Sequence, residues 1–334
     1  HGDAARELVQ KGADVAARNR YGVTPLALAC QNGNAGLVTI LLDAGADANA
    51  SLPGGETALM TAARTGRIGA VEALLQHGAD VNATERNGQT ALMWSAANGH
   101  QDVVSRLVER GADIHVSLPS GFNALCFAVR EGHSDVVHVL LSAGADVNLA
   151  MHPSVKGGRV ARDGTSPLLL AVENGHFELA DQLLRAGAEP NDQRSGFTAL
   201  HAISWVRKPN RGDGVDGDPP PRGSGSVTSL QFVRKLVGYG ADVNVRLKGG
   251  RAGRGRLNQK GATPFLFAAD TADLPLMKLL VELGADPTIA NVDNCPPLLA
   301  AAGIGTIAPG EEAGTEQEAV AVVKWLLDLG ADIN

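Results

Sequence analysis

Nine histidines, three cysteines, one run of acids and one glycine–arginine stretch are the parts of this chain whose side chains suit chemistry. The histidines are scattered, but His100, His133 and His176 each directly follow a glycine at the same point of a recurring pattern, which marks a turn rather than a catalytic position. No His-Glu-x-x-His, Gly-x-Ser-x-Gly or phosphate-loop pattern is present, so the spacings needed for zinc, nucleophilic or phosphoryl chemistry are missing. Asp213, Asp216 and Asp218 do not stand at the alternating positions of a calcium loop, and Arg211-Gly212-Asp213 lies in surroundings already rich in those residues. Cys30, Cys126 and Cys295 are far apart, odd in number and without metal or redox spacing. The stretch from Lys248 to Arg256 carries Lys248, Arg251, Arg254 and Arg256 among glycines. Its forked guanidinium donors suit carboxylate or phosphate, and it has no aromatic residue to stack on a base.

The chain has 334 residues and a formal net charge of −7, which speaks against polyanion binding by bulk charge. It has no apolar run of 18 residues, the length of a membrane-spanning helix.

The elements that position these residues repeat. From Gly55 to Asn82, Thr57 is placed to cap a helix and Gly66 to stop it. Ile68, Val71, Leu74 and Leu75 recur at helical spacing, Gly78 ends that second helix, and Asp80 and Asn82 follow as turn residues. Starts at Thr24, Thr57, Thr90 and Asn123 are separated by 33 residues each time, and a Gly-Ala-Asp follows every start at Gly45, Gly78, Gly111 and Gly144. Further starts fall at Ser166, Thr198, Thr263 and Pro296. One such unit is too small to bury a core, so stacking must supply it.

A 33-residue period with these caps and two helical patterns resembles the ankyrin repeat family. The resemblance implies an all-α, ankyrin-repeat curved solenoid of about eight helix-turn-helix repeats with short β-hairpin fingers. We expect a single array over 1–334, made of a partial repeat at 1–18, four regular repeats at 19–148, a finger insertion at 149–163, and four repeats at 164–334. The last four carry insertions at 207–227, 245–260 and 303–317. The first residues match mid-repeat and the last precede another, so a longer parent chain is expected. The usual His of the family's Thr-Pro-Leu-His tetrapeptide survives only at His201, and Pro296 replaces the capping Thr in the eighth repeat.

What the resemblance implies for function is a non-catalytic scaffold, without cofactor or metal, that binds another protein on its concave and finger face. By register, the first-helix ends are mostly polar, with Trp205 the exception; Phe122 and Phe197 are aromatic finger residues. Candidate partner-binding residues are therefore Phe122, Arg130, Phe197 and Trp205, together with the basic finger residues Arg246, Lys248, Arg251, Arg254 and Arg256. Their charge points to a partner with an acidic surface. Nucleic-acid binding through the same finger, a place in a longer enzyme or assembly protein, and pairing between copies remain as alternatives. The Ala-, Gly- and Arg-rich style is similar to bacterial ankyrin proteins, many of them exported.

Overall fold

The structure is a computed structural model that describes residues 2–154, 162–209, 220–250, 257–304 and 313–332. Among them, a lone helix α1 (Gly2–Gln10) precedes eight helix pairs. The first helices of the pairs are α2 (Pro25–Gln31), α4 (Ala58–Arg64), α6 (Ala91–Ala97), α8 (Ala124–Glu131), α10 (Pro167–Glu173), α12 (Ala199–Arg207), α14 (Pro264–Asp270) and α16 (Pro297–Ala301). The second helices are α3 (Ala35–Asp43), α5 (Ile68–Gln76), α7 (Gln101–Glu109), α9 (Ser134–Ser142), α11 (Phe177–Arg185), α13 (Ser229–Gly238), α15 (Leu274–Glu282) and α17 (Glu316–Asp328).

The local chemistry explains the pairs. Thr57 Oγ1 accepts from the Met60 N–H at 3.3 Å, and Thr24, Thr90, Asn123, Ser166, Thr198 and Thr263 cap their first helices in the same way. Pro296 has no such side chain, and its helix α16 runs only five residues. Glycine closes the turn to the second helix. At Gly66, φ is +69° and an added Cβ would lie 2.6 Å from the His100 ring of the next repeat, so both conformation and space require glycine there.

The described residues form two compact units. The first runs to Asp146 and takes in Pro153 and Ser154; the second comprises Val147–His152 and everything from Arg162 onward. Within the first unit, α2, α4, α6 and α8 pack in sequence, and α1, α3, α5, α7 and α9 form the second row. Within the second, α10, α12, α14 and α16 pack in sequence, α11 packs on α13 and α15 on α17. Leu26, Leu59, Leu92 and Leu125 occupy one buried register of the first unit, and Val38, Val71, Val104 and Val137 another. Each buried Leu contributes about 2 kcal/mol relative to exposure.

Polar bonds fix the register between repeats. Asn82 donates Nδ2–H to Gly111 O at 3.1 Å and its Oδ1 accepts from Asp113 N at 2.8 Å. Asn49, Asn148, Asn191 and Asn244 make the same double bond to the Gly and acid of the repeat that follows them. His115 stands in the equivalent place and is exposed.

The fingers are closed by backbone bonds between their two arms, such as Leu52 N to Glu56 O at 2.9 Å and Leu247 N to Ala262 O at 3.0 Å. Among the described residues they contain isolated bridges, Ser51 with Thr57, Thr84 with Thr90 and Met151 with Thr165, and no named strand. The described C-terminal ends of the two opposite-edge insertions lie on the preceding repeat. Ser224 N donates to His176 Nδ1 at 2.8 Å and Ser226 N to Glu178 Oε2 at 2.8 Å. Arg207 donates to both oxygens of Asp273 at 2.6 and 3.0 Å, which satisfies a carboxylate with no solvent exposure.

Candidate functional site

The first-helix and finger surface of the second unit gathers aromatic residues around α12. Phe197 sits one residue before the N-cap Thr198, and Trp205 lies in the last turn of α12. Their rings meet edge-on with centroids 5.1 Å apart. Phe267 of α14 touches both, at 6.4 Å and 6.2 Å. Phe267 is 5% exposed, so it forms the floor, while Phe197 and Trp205 are half-buried and form the surface.

Beneath them His201 is fully buried, its ring 5.6 Å from that of Phe267. Nδ1 pairs with Thr198 Oγ1 at 2.8 Å and Nε2 with Ala262 O at 3.2 Å. A carbonyl can only accept, so Nε2 carries the proton and donates. Burial pulls the pKa of His201 down from 6.5 to about 4, and the ring stays neutral at physiological pH.

An arginine closes the patch. The Arg162 guanidinium lies 4.9 Å from the Phe197 ring centroid and pairs with Glu173 at 3.2 Å. Burial pushes the Glu173 carboxyl up, and the charge and hydrogen bond of Arg162 pull it back. The result is an apolar surface whose rim carries a guanidinium already held flat on a ring, an arrangement suited to anchoring a protein side chain and a nearby carboxylate.

The first unit holds a smaller version. The Phe122 and Phe127 centroids are 5.1 Å apart, and the Arg130 guanidinium lies 5.0 Å from one ring and 5.3 Å from the other. Arg130 also pairs with Glu131 at 2.8 Å.

The residues chosen from the sequence therefore fall into two groups. Phe122 and Arg130 touch each other in the first unit; Phe197 and Trp205 touch each other in the second. Arg246 is exposed and donates Nη2–H to Ala290 O of the next finger at 2.8 Å, which makes it a finger-to-finger bridge. Lys248 is exposed. Arg251, Arg254 and Arg256 lie outside the described residues, as do the Arg-Gly-Asp tripeptide and the acidic run after it. Sequence reasoning missed Phe267 and the stacking of Arg162. Phe267 shares the register of Trp94 and Phe127, a signal that was available.

The remaining reactive groups have structural roles. His100 Nε2 pairs with Arg64 O at 2.9 Å and His133 Nε2 with Ala97 O at 3.2 Å, so each ring rivets one repeat to the one before. Burial pushes the Cys30 thiol up to about 12 and the Cys126 thiol up to about 11, which leaves both unreactive. Among the described residues no group of three or more His, Cys, Asp or Glu side chains could hold a metal ion, and no helix is long and apolar enough to cross a membrane.

Comparisons with known proteins agree with this architecture. A family model described as "Ankyrin repeats (3 copies)" matches residues 1–85 and 83–151, and a single "Ankyrin repeat" model matches residues 163–194. No curated protein matches the chain significantly. Among solved structures, the human ASB11 ankyrin repeat domain superposes with a TM-score of 0.59 at 21% identity, covering 79% of this chain and 100% of that domain. With the repeat models, the paired helices and the bonded turns in agreement, the chain belongs to the ankyrin repeat family.

Proposed function

We propose that this chain is a non-catalytic protein-recognition scaffold that holds a partner on its first-helix and finger face. Ankyrin repeats are in general protein–protein interaction modules. The observation that carries the proposal is the half-exposed Phe197–Trp205 pair, with Arg162 fixed over Phe197, on helix ends that are otherwise polar. Aromatic and arginine side chains are the commonest energetic anchors of interfaces. These are already packed, so a partner meets little ordering cost on binding. Phe122 with Arg130 supplies a comparable contact in the first unit. The partner is acidic where it meets the fingers, because Arg162, Lys248, Arg251, Arg254 and Arg256 all lie on that edge of the sequence pattern.

Phe197→Ala and Trp205→Ala should each weaken binding to partners recovered by quantitative affinity purification by tenfold or more, or about 1.4 kcal/mol. Tyr239→Ala, an exposed aromatic at the end of a second helix, should leave it unchanged. Replacing Lys248, Arg251, Arg254 and Arg256 together with Ala should flatten the salt dependence of binding. Equal recovery across all variants at every salt concentration would dismiss this reading.

A further inference from the structure

Positions four residues after each cap line up on successive first helices of the first unit: Leu28, Thr61, Trp94 and Phe127. Leu28 is 45% exposed, although it belongs to a stripe whose later members are packed. Trp94 is half-buried and its indole Nε1 is shielded from water with no hydrogen-bond partner. A buried N–H left without an acceptor costs about 1–3 kcal/mol, so a native chain that retains one has a use for it or a missing partner. Directly over that ring lies the Arg64 guanidinium, 5.0 Å from the centroid. Arg64 contacts Glu56 at 3.3 Å, and Glu56 also accepts from Thr61 Oγ1 at 3.0 Å. The arginine is the outer group of the pair, with 36% of its side chain exposed against 25% for Glu56.

We propose that Arg64 and Trp94 form a carboxylate-binding site for an acidic protein segment whose neighbouring apolar side chain rests on Leu28. It goes beyond the Phe197–Trp205 patch while resting on the same reading, that the first-helix face receives protein. The chemistry is complementary on both donors. A carboxylate that draws Arg64 outward gains a forked, charge-assisted pair and uncovers the indole N–H, which donates to the second oxygen or to an adjacent carbonyl. The unmade bond of the unliganded chain is thereby completed by the partner. Glu56 remains bonded to Thr61, so removal of Arg64 from it does not strand a bare carboxylate.

Three tryptophans make this testable by indole N–H resonances, with Trp94→Phe identifying the Trp94 signal by its loss. The probes are a blocked peptide of alternating Glu and Leu and its Gln–Leu counterpart, added to the whole chain. The Trp94 indole signal should move saturably with the Glu–Leu peptide, and about tenfold more peptide should be needed with the Gln–Leu version or with Arg64→Gln. Arg64→Lys, which keeps charge and loses the fork, should fall between. An unmoved Trp94 signal, or equal shifts with both peptides or in Arg64→Gln, would overturn the site. If Trp94 is silent while Phe197→Ala and Trp205→Ala still release partners, the Trp94 site fails and the proposed function stands. If Trp94 responds and those variants release nothing, the Trp94 site stands and the Phe197–Trp205 patch fails as an anchor.

Discussion

Replacing His201 with Met, the residue that Met60 and Met93 supply at the same register, should exchange stability at neutral pH for resistance to acid. His201 is fully buried and its pKa falls from 6.5 in an unfolded chain to about 4 in the folded one. Between those values the unfolded chain binds a proton that the folded chain refuses. The stability that neutral His201 confers is therefore complete above pH 6.5 and lost as pH falls toward 4. A shift of that size corresponds to about 3 kcal/mol at the acid end. Against this, His201→Met removes the ring's bonds to Thr198 Oγ1 and to Ala262 O, two buried bonds worth about 1 kcal/mol each at every pH, although Ala262 O keeps the N–H of Leu247. The wild type should be the more stable at pH 7, and the gap should close or invert near pH 4. Urea unfolding at steps between those values, followed by tryptophan fluorescence, reads the effect, because Trp205 packs on the same Phe267 as His201. Parallel stability curves for the two proteins would refute the reasoning, since a constant gap means that His201 titrates alike in both states.

Two further stability effects follow from the turns. Asn82→Ala removes two bonds between neighbouring repeats and should lower stability by about 1–2 kcal/mol, whereas His115→Asn places the bridging amide at the equivalent position and should raise the urea midpoint. Ala272 holds φ at +52°, the conformation that glycine takes at the equivalent Gly33, Gly66 and Gly99, so Ala272→Gly should stabilise the second unit by about 1 kcal/mol, read as a higher melting temperature.

The fold was legible because one short pattern is written eight times. Caps at Thr24, Thr57 and Thr90, glycines after most of the helices and counted offsets located the helix pairs and the insertions without any contact information. Within the site, Phe122, Phe197 and Trp205 were visible as aromatic residues at finger and helix-end positions and Arg130 as a polar helix end, but that Phe122 meets Arg130 and Phe197 meets Trp205 was not legible from the sequence. What stayed hidden depends on contacts that cross repeats. Arg162 reads only as one more positive charge until its finger is set against Phe197, and Asn82 reads as a local turn residue until Gly111 is brought beside it. The fingers were expected as short hairpins, and among the described residues three of them pair their arms through a single antiparallel bridge each.

Hydrogen exchange on the partner-bound chain tests most directly whether the first-helix and finger face is the gripping surface. Slowed exchange should concentrate in α12, α14 and the segment from Ser195 to Thr198, with little change in α11, α13 and α15. Protection confined to those second helices, with α12 unaffected, would contradict it.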